Sequence, residues 1–270
     1  MKVSIIGGGT IGTSIAIPLK NNGYDVIVTR RNTSKIEFLK ENGVEITSDN
    51  KRAVENSQVV ILTLKPLDTV SELKKLANYT QGKIIISMAA AVSLKQLKTI
   101  APKSYVVRAM TNIAASVGAG FTPYCVYEED EQKIQIVRQI LGSFGESEKV
   151  EEKYMDALTA LSGSGPAYIL TIIESMMYGG LKVGLPRELS LKASYQTVLG
   201  SAKLLAQSRD HPSELKEKVI TPGGVTIEGI FELENMRIRT AIMRAIEAST
   251  AKSREISKEI EQKVHELLNN

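Results

Sequence analysis

Cysteine is almost missing from this chain: Cys125 is the only one in 270 residues. Neither a disulfide framework nor a cysteine-based zinc site can form within one chain, and a reducing compartment fits such usage. Histidine is nearly as scarce, with His211 and His265 alone. His211 stands before Pro212 at an expected helix start and His265 in the last helix, so both read as surface residues, and no metal site is expected. No apolar run nears the roughly 18 residues needed to span a bilayer. The opening MKVSIIGGG reaches glycine after too few apolar residues for a signal-peptide core. A soluble, cytoplasmic protein with no membrane partner is expected. An excess of one charge is also lacking. Thirty-four Lys and Arg face thirty Asp and Glu, for a net charge of +4, spread along the chain, which argues against a nucleic-acid partner. The pI of 8.9 bears on solubility and not on partners.

What is present divides into two halves with different patterning. From residue 1 to about 150, short Val/Ile-rich runs alternate with helical stretches: VSIIG (3–7), DVIVT (25–29), VVILTL (59–64), KIIIS (83–87) and YVVRAM (105–110). Such runs read as strands buried on both faces of a mostly parallel sheet. YCVYEED (124–130) and SEKV (147–150) look like weaker strands. Between strands lie segments such as NTSKIEFLKENG (32–43), with Ile36 and Leu39 three apart and Gly43 as a stop. After about residue 151 the strand signal disappears and the pattern is helical, with Pro186 and Pro212 where first helical turns would start. Ile238, Ile242 and Ile246, then Ile256, Ile260 and Val264, repeat at four-residue spacing. That makes an apolar stripe on a long helix. Packing on its own domain is the plain reading, but so many apolar faces in 120 helical residues favour a buried homodimer interface. The domains expected are 1–150 and 151–270.

Gly7-Gly8-Gly9-Thr10-Ile11-Gly12 follows a strand and opens a helix, the context a G-x-G-x-x-G run requires. Gly7 permits the tight turn, Gly9 admits a pyrophosphate to the backbone, and Gly12 lets helix and strand pack closely. The helix start adds unpaired N–H groups and the positive end of its dipole. A glycine-rich β–α turn without a ligand is the bland alternative. At the end of the second strand an NAD site would carry Asp or Glu for the ribose 2′-hydroxyl, but this chain reads VTRRNTS. Arg30 and Arg31 suit a 2′-phosphate, so NADPH is the expected cofactor and NADH the alternative, on an α/β Rossmann domain.

Two motifs in the helical half are unusual: LSGSGPAY (161–168), with two glycines flanking Ser164, and TPGGVT (221–226), whose Gly-Gly directly precedes a helical pattern. Together with the N-terminal glycines they resemble the pyrroline-5-carboxylate reductase family. The resemblance runs the full length of the chain and includes Lys65-Pro66, Ser87-Met88-Ala89-Ala90, and Asn112 followed by Val117-Gly118-Ala119-Gly120. It implies a Rossmann domain followed by an all-α domain for substrate binding and dimerisation, with homodimers interlocked through the helical half and in some members built into rings. It implies reduction of 1-pyrroline-5-carboxylate to proline. Backbone N–H groups of Gly224, Val225 and Thr226, assisted by Thr221, would hold the substrate carboxylate, with the catalytic Thr226 hydroxyl near the ring nitrogen. Glu152 and Ser164 would line the same pocket. Cofactor contacts would fall on Ile6, Gly7, Gly9, Thr10, Ile11, Gly12, Arg30, Arg31, Asn50, Thr63, Lys65, Ala90 and Asn112. The chain departs from the family pattern at Thr111, Ile113 and Ala114, where two prolines are usual, and at Lys218, where an asparagine is usual.

The chemistry suits a chain poor in histidine. A ketone reductase needs an acid for the developing alkoxide. A cyclic imine bound with its nitrogen protonated accepts hydride and becomes the neutral amine directly. Orientation and charge screening then suffice. Among rivals, β-hydroxyacid dehydrogenases carry a catalytic Lys with Asn four residues later, and no Lys-x-x-x-Asn occurs in 151–270. A reductase of another cyclic imine, or a silent NADP-binding sensor, are the remaining alternatives.

Overall fold

The computed structural model describes residues 1–269, with side chains described through residue 267. The first part of the chain runs β1 (Lys2–Ile6), α1 (Thr10–Asn21), β2 (Asp25–Thr29), β3 (Glu45–Thr47), α2 (Asn50–Glu55), β4 (Val59–Leu62), α3 (Pro66–Leu76), β5 (Ile84–Ser87), α4 (Leu94–Ile100), β6 (Tyr105–Ala109), β7 (Gly120–Val126), α5 (Glu131–Gly142) and β8 (Gly145–Lys149). Then come α6 (Met155–Leu158), α7 (Gly165–Lys182), α8 (Arg187–Ser208), α9 (Pro212–Glu217), α10 (Val225–Asn235) and α11 (Ile238–Asn269).

The strands form one sheet in the order β3-β2-β1-β4-β5-β6-β7-β8. Every pairing is parallel except β6 with β7. The alternation of the buried runs divides the core between the two faces. Val3, Ile5, Val26, Val28, Val59 and Ile61 pack with α1 and α5 residues on one side. Ile6, Ile27, Val60, Leu62 and Ile85 pack with residues of α2, α3 and α4 on the other. Strand order reverses at β1, which lies between β2 and β4. In open α/β sheets the ligand crevice lies at such a switch point, beyond the carboxyl ends of the strands.

Three local details differ from expectation. The segment Thr33–Asn42 forms 3₁₀ turns, broken at Ile36 (φ −128°), where the chain bends to bury that side chain; Gly43 ends it at φ +73° as a stop residue should. The three-residue β3 is too short to show in the sequence. β7 runs over 120–126, four residues before the anticipated start, because its early residues, from Gly120 on, pair in parallel with β8 while β6 pairs with its last three.

By packing, the described chain separates into two compact units, residues 1–164 with the stretch from Ala248 onward, and residues 165–247. The change of composition near residue 150 marks where strands end, whereas this division follows contacts. Met155 is buried in the sheet's second core cluster. Asp156 accepts hydrogen bonds from Ser253 and Ser257, both 2.9 Å, and so ties the later half of α11 to the sheet unit. Val264 is fully buried in that same cluster and Ile260 packs on it. The end of the α11 stripe therefore covers its own chain, which corrects its assignment to a partner interface.

The unit of residues 165–247 is built differently. α7 and α8 lie close because Gly180 leaves room for Ser190, whose Oγ donates to Met177 O at 2.8 Å. Among its described apolar residues only Met177 is buried, while Leu170, Leu199, Phe231 and Met236 are more than half exposed. No helix of the described residues is long and apolar enough to cross a membrane.

Candidate active site

The switch point carries a polar cleft of about 460 Å³. Its floor is the turn after β1. Gly7 adopts φ +113°, which only glycine takes without strain. Gly12 has ordinary φ and is required for space: a Cβ there would lie 2.1 Å from Gly7 O. Nothing lies within 4 Å of a Cβ placed on Gly9, so the backbone there is open to a ligand. Gly8 N–H donates to Thr29 O and Gly9 N–H to Gly7 O. α1 begins with no side-chain cap, so the amides of Thr10 and Ile11 are left without intrahelical partners. Thr63 Oγ1 donates to Gly7 O at 2.6 Å and holds the turn from β4. These features fit a pyrophosphate lying against backbone.

Beyond the turn, Arg30 and Arg31 line the cleft with Asn50, Thr63 and Lys65. Arg30 is partly committed, since its Nη1 donates to Gly8 O at 2.6 Å. Arg31 is exposed. Sequence reasoning missed Lys35, a further cation facing the cleft, and Asp68, Ser71, Glu72 and Lys75 of α3. Those α3 positions fall at three- and four-residue spacing along one helical face, a polar periodicity that could have exposed them. Ile6, Thr10, Ile11, Gly12, Ala90 and Asn112 do not line this cleft. Ile6 is fully buried in β1, and Ala90 lies in the loop after β5, beside Ala91 at φ +66°.

Asn112 and Glu152 are engaged within the sheet unit. Asn112 Nδ2 donates to Ser162 O at 2.9 Å while its Oδ1 accepts from Ala114 N at 3.0 Å. Thr111 and Thr122 join through their hydroxyls at 2.9 Å. Hydrogen bonds thus hold the loop where the family pattern has two prolines. Glu152 Oε1 accepts from the buried Arg108 at 2.9 Å and from Leu94 N, at the start of α4, at 2.8 Å. One of its oxygens is therefore occupied by structure. Cys125 lies against Arg108 O, and burial pushes its thiol up to about 12, far from a nucleophile's range. Ser164 follows a π-helical turn, Thr159–Gly163, and its N–H donates to Thr159 O. Such turns are frequent at functional sites.

In the other unit the TPGGVT segment forms a turn into α10. Gly223 takes φ +69°. Gly224 has ordinary φ (−81°) and serves by its bareness, because a Cβ would lie 2.2 Å from Thr221 Oγ1. Gly224 N–H donates to Thr221 O at 3.0 Å, so the expected row of three free amides shrinks to Val225 and Thr226. α10 has no side-chain cap, and Val225 is 91 % exposed. Lys218 is ion-paired with Asp210 at 2.9 Å, which balances the cation that replaces the usual asparagine. His211 caps α9, its Nδ1 accepting from Ser213 N.

Known proteins resemble both the strand-bearing and the helical stretches of the chain. A family model described as pyrroline-5-carboxylate reductase dimerisation matches residues 152–256, and one described as NADP oxidoreductase, coenzyme F420-dependent, matches residues 2–91. The pyrroline-5-carboxylate reductase of Glycine max is 39% identical over 266 residues, covering 94% of this chain and 96% of its own. The crystal structure of Plasmodium falciparum pyrroline carboxylate reductase with NADP bound superposes with a TM-score of 0.86 at 28% identity, covering 95% of this chain and 98% of that one. A pyrroline-5-carboxylate reductase from Coxiella burnetii gives 0.85 at 32% identity, over 94% and 97%. The chain belongs to the pyrroline-5-carboxylate reductase family.

Proposed function

We propose that this chain reduces the C=N bond of 1-pyrroline-5-carboxylate to give L-proline, using NADPH. The observation that carries the reading is the turn into α10: Gly223 in the left-handed region, Gly224 bared beneath the Thr221 hydroxyl, and two uncapped amides beyond. An uncapped helix start binds a carboxylate through hydrogen bonds and its dipole. Val225 and Thr226 N–H would hold that group, with Thr221 Oγ1 beside them. The Thr226 hydroxyl would hydrogen-bond the ring nitrogen and set the face of the C=N bond. The reduced nicotinamide, when bound, supplies the hydride. Gly7, Gly9, the α1 amides, Thr63 and Lys65 would hold its diphosphate side, and Arg30, Arg31 and Lys35 the 2′-phosphate. Ala90 and Asn112, outside the cleft, would act toward the nicotinamide end.

Residues 1–150 would then serve as the nucleotide domain and residues 151–270 as the substrate-binding and dimerisation domain. Burying one Leu or Phe side chain is worth about 1.5–3 kcal/mol. The nearly coreless 165–247 unit therefore gains most of its stability from a partner, here a second copy joined through these helices. A cytoplasmic location fits a chain with a single cysteine. The direct test is loss of NADPH absorbance on adding pyrroline-5-carboxylate, repeated with NADH and with six-membered cyclic imines. Nucleotide binding without consumption would make the chain a sensor, and faster turnover of a larger ring would overturn the substrate.

A further inference from the structure

Resting on the dinucleotide reading of the cleft, we propose that Glu72 is a positioning residue that turns Asn50 into a reader of the adenine 6-amino group. Asn50, the first residue of α2, donates its Nδ2 to Glu72 Oε1 at 2.8 Å. A carboxylate only accepts hydrogen bonds. The amide of Asn50 therefore has one allowed orientation, with nitrogen toward α3 and carbonyl oxygen away from it. The other Glu72 oxygen is taken by Lys75 Nζ at 3.3 Å, so the carboxylate is not itself left to meet a ligand. Both Asn50 and Glu72 line the cleft and are half-buried.

The position along the cleft selects the ligand group. Lys65 and Pro66 begin α3 beside the glycine turn, and Glu72 lies six residues farther along that helix. Six residues are about 9 Å of helical rise. The Asn50–Glu72 pair thus stands well along the cleft from the pyrophosphate cradle, toward where the base of a bound dinucleotide would lie. The cations Arg30, Arg31 and Lys35 serve the phosphate. An oxygen fixed as an acceptor is useless to a phosphate, and it suits the N–H donor that adenine carries at position 6. Hypoxanthine, with a carbonyl there, would set oxygen against oxygen.

The test compares NADPH with its reduced hypoxanthine analogue, and NADH with reduced nicotinamide hypoxanthine dinucleotide, in the wild-type chain and in Glu72→Gln. Binding is read from the fluorescence of the reduced nicotinamide, so failure to turn over pyrroline-5-carboxylate leaves this test readable and counts only against the proposed reaction. Wild type should bind the adenine form about 5- to 100-fold more tightly than the hypoxanthine form, the cost of one unmet hydrogen bond. In Glu72→Gln the side-chain amide can present either end, Asn50 can flip, and the preference should fall below about 3-fold. Asn50→Ala should abolish the preference as well. A wild type indifferent to the base, or a preference that instead follows the ribose hydroxyl between NADH and NADPH, would overturn the proposal. So would a Glu72→Gln variant that keeps full preference, or one that weakens both base forms equally as a mere brace between α2 and α3 would.

Discussion

Gly224→Ala isolates the proposed carboxylate clamp, because the residue's φ of −81° and ψ of 169° are comfortable for alanine and the backbone carries no strain. The whole effect is then steric. The new methyl would stand 2.2 Å from Thr221 Oγ1 and 3.2 Å from Thr221 O. Ordinary carbon–oxygen contacts begin near about 3.3 Å, so more than 1 Å of overlap must be relieved. Either the Thr221 hydroxyl swings out, or the bond from Gly224 N to Thr221 O opens and tilts the first amides of α10. Each route loses one hydrogen bond to a charged group, worth about 1.5–3 kcal/mol. That is about 10- to 150-fold in kcat/KM for the imine. The assay is steady-state turnover with imine varied at saturating NADPH, and then the reverse. The KM for NADPH should stay within about 2-fold. Adding Thr221→Ala removes the colliding oxygen, so the double variant should perform no worse than Thr221→Ala alone, a non-additivity that reports contact. Full activity in Gly224→Ala, or a loss carried equally by the NADPH KM, would refute the reasoning.

Thr226→Ala should lower kcat/KM by about 10- to 1000-fold while NADPH still binds, as read by nucleotide fluorescence; unchanged turnover would remove the hydroxyl from the mechanism. Arg31→Ala should raise the KM for NADPH far more than that for NADH, whereas Arg30→Ala, which also frees Gly8 O, should weaken both, with NADPH still the harder hit. Equal loss for both nucleotides in the double variant would refute the phosphate assignment. Burial raises the Cys125 thiol from 9.0 to about 12. Its folded value lies above its unfolded one, so the stability from keeping it neutral is intact below pH 9 and drains away between pH 9 and 12, by at most about 1.4 kcal/mol per pH unit. Cys125→Ala should therefore lose less Tm than wild type between pH 8 and 10.5, and parallel curves would show that the thiol plays no part.

The sheet was legible because its strands are buried on both faces: DVIVT maps onto β2 without a shift, and VVILTL and KIIIS onto β4 and β5 within two residues. What stayed hidden had weak or misleading local signals. EIT is three residues at the sheet's edge and half exposed, too short for alternation to register. The helical repeat of α11 was visible, but periodicity says which residues share a face and not what covers it. Ile260 and Val264 continue the spacing of Ile238 and Ile242, yet they sit on the sheet unit because Ser253 and Ser257 anchor that half of the helix to Asp156. A hydrogen bond across about a hundred residues leaves no trace in a local pattern.

The candidate site shows the same division between backbone and side-chain information. Each glycine pair reads alike in sequence, but its members do different work: Gly7 and Gly223 supply positive φ, while Gly12 and Gly224 supply empty space next to an oxygen. Alanine at the first kind would strain the turn, and at the second would collide, so the two kinds should be separable by variants that leave φ/ψ alone. Side chains carried over by motif fared less evenly, because a motif fixes position and not partners. Glu152, expected to line a substrate pocket, shares one oxygen with Arg108 and the α4 backbone. Gly224, expected to offer its N–H to a carboxylate, has it already bonded to Thr221. Glu72, which no motif names, gains its importance only from the amide it faces. The residues that set orientation are thus the ones least visible in sequence, since their effect lies in a hydrogen-bond partner that the fold alone brings within reach.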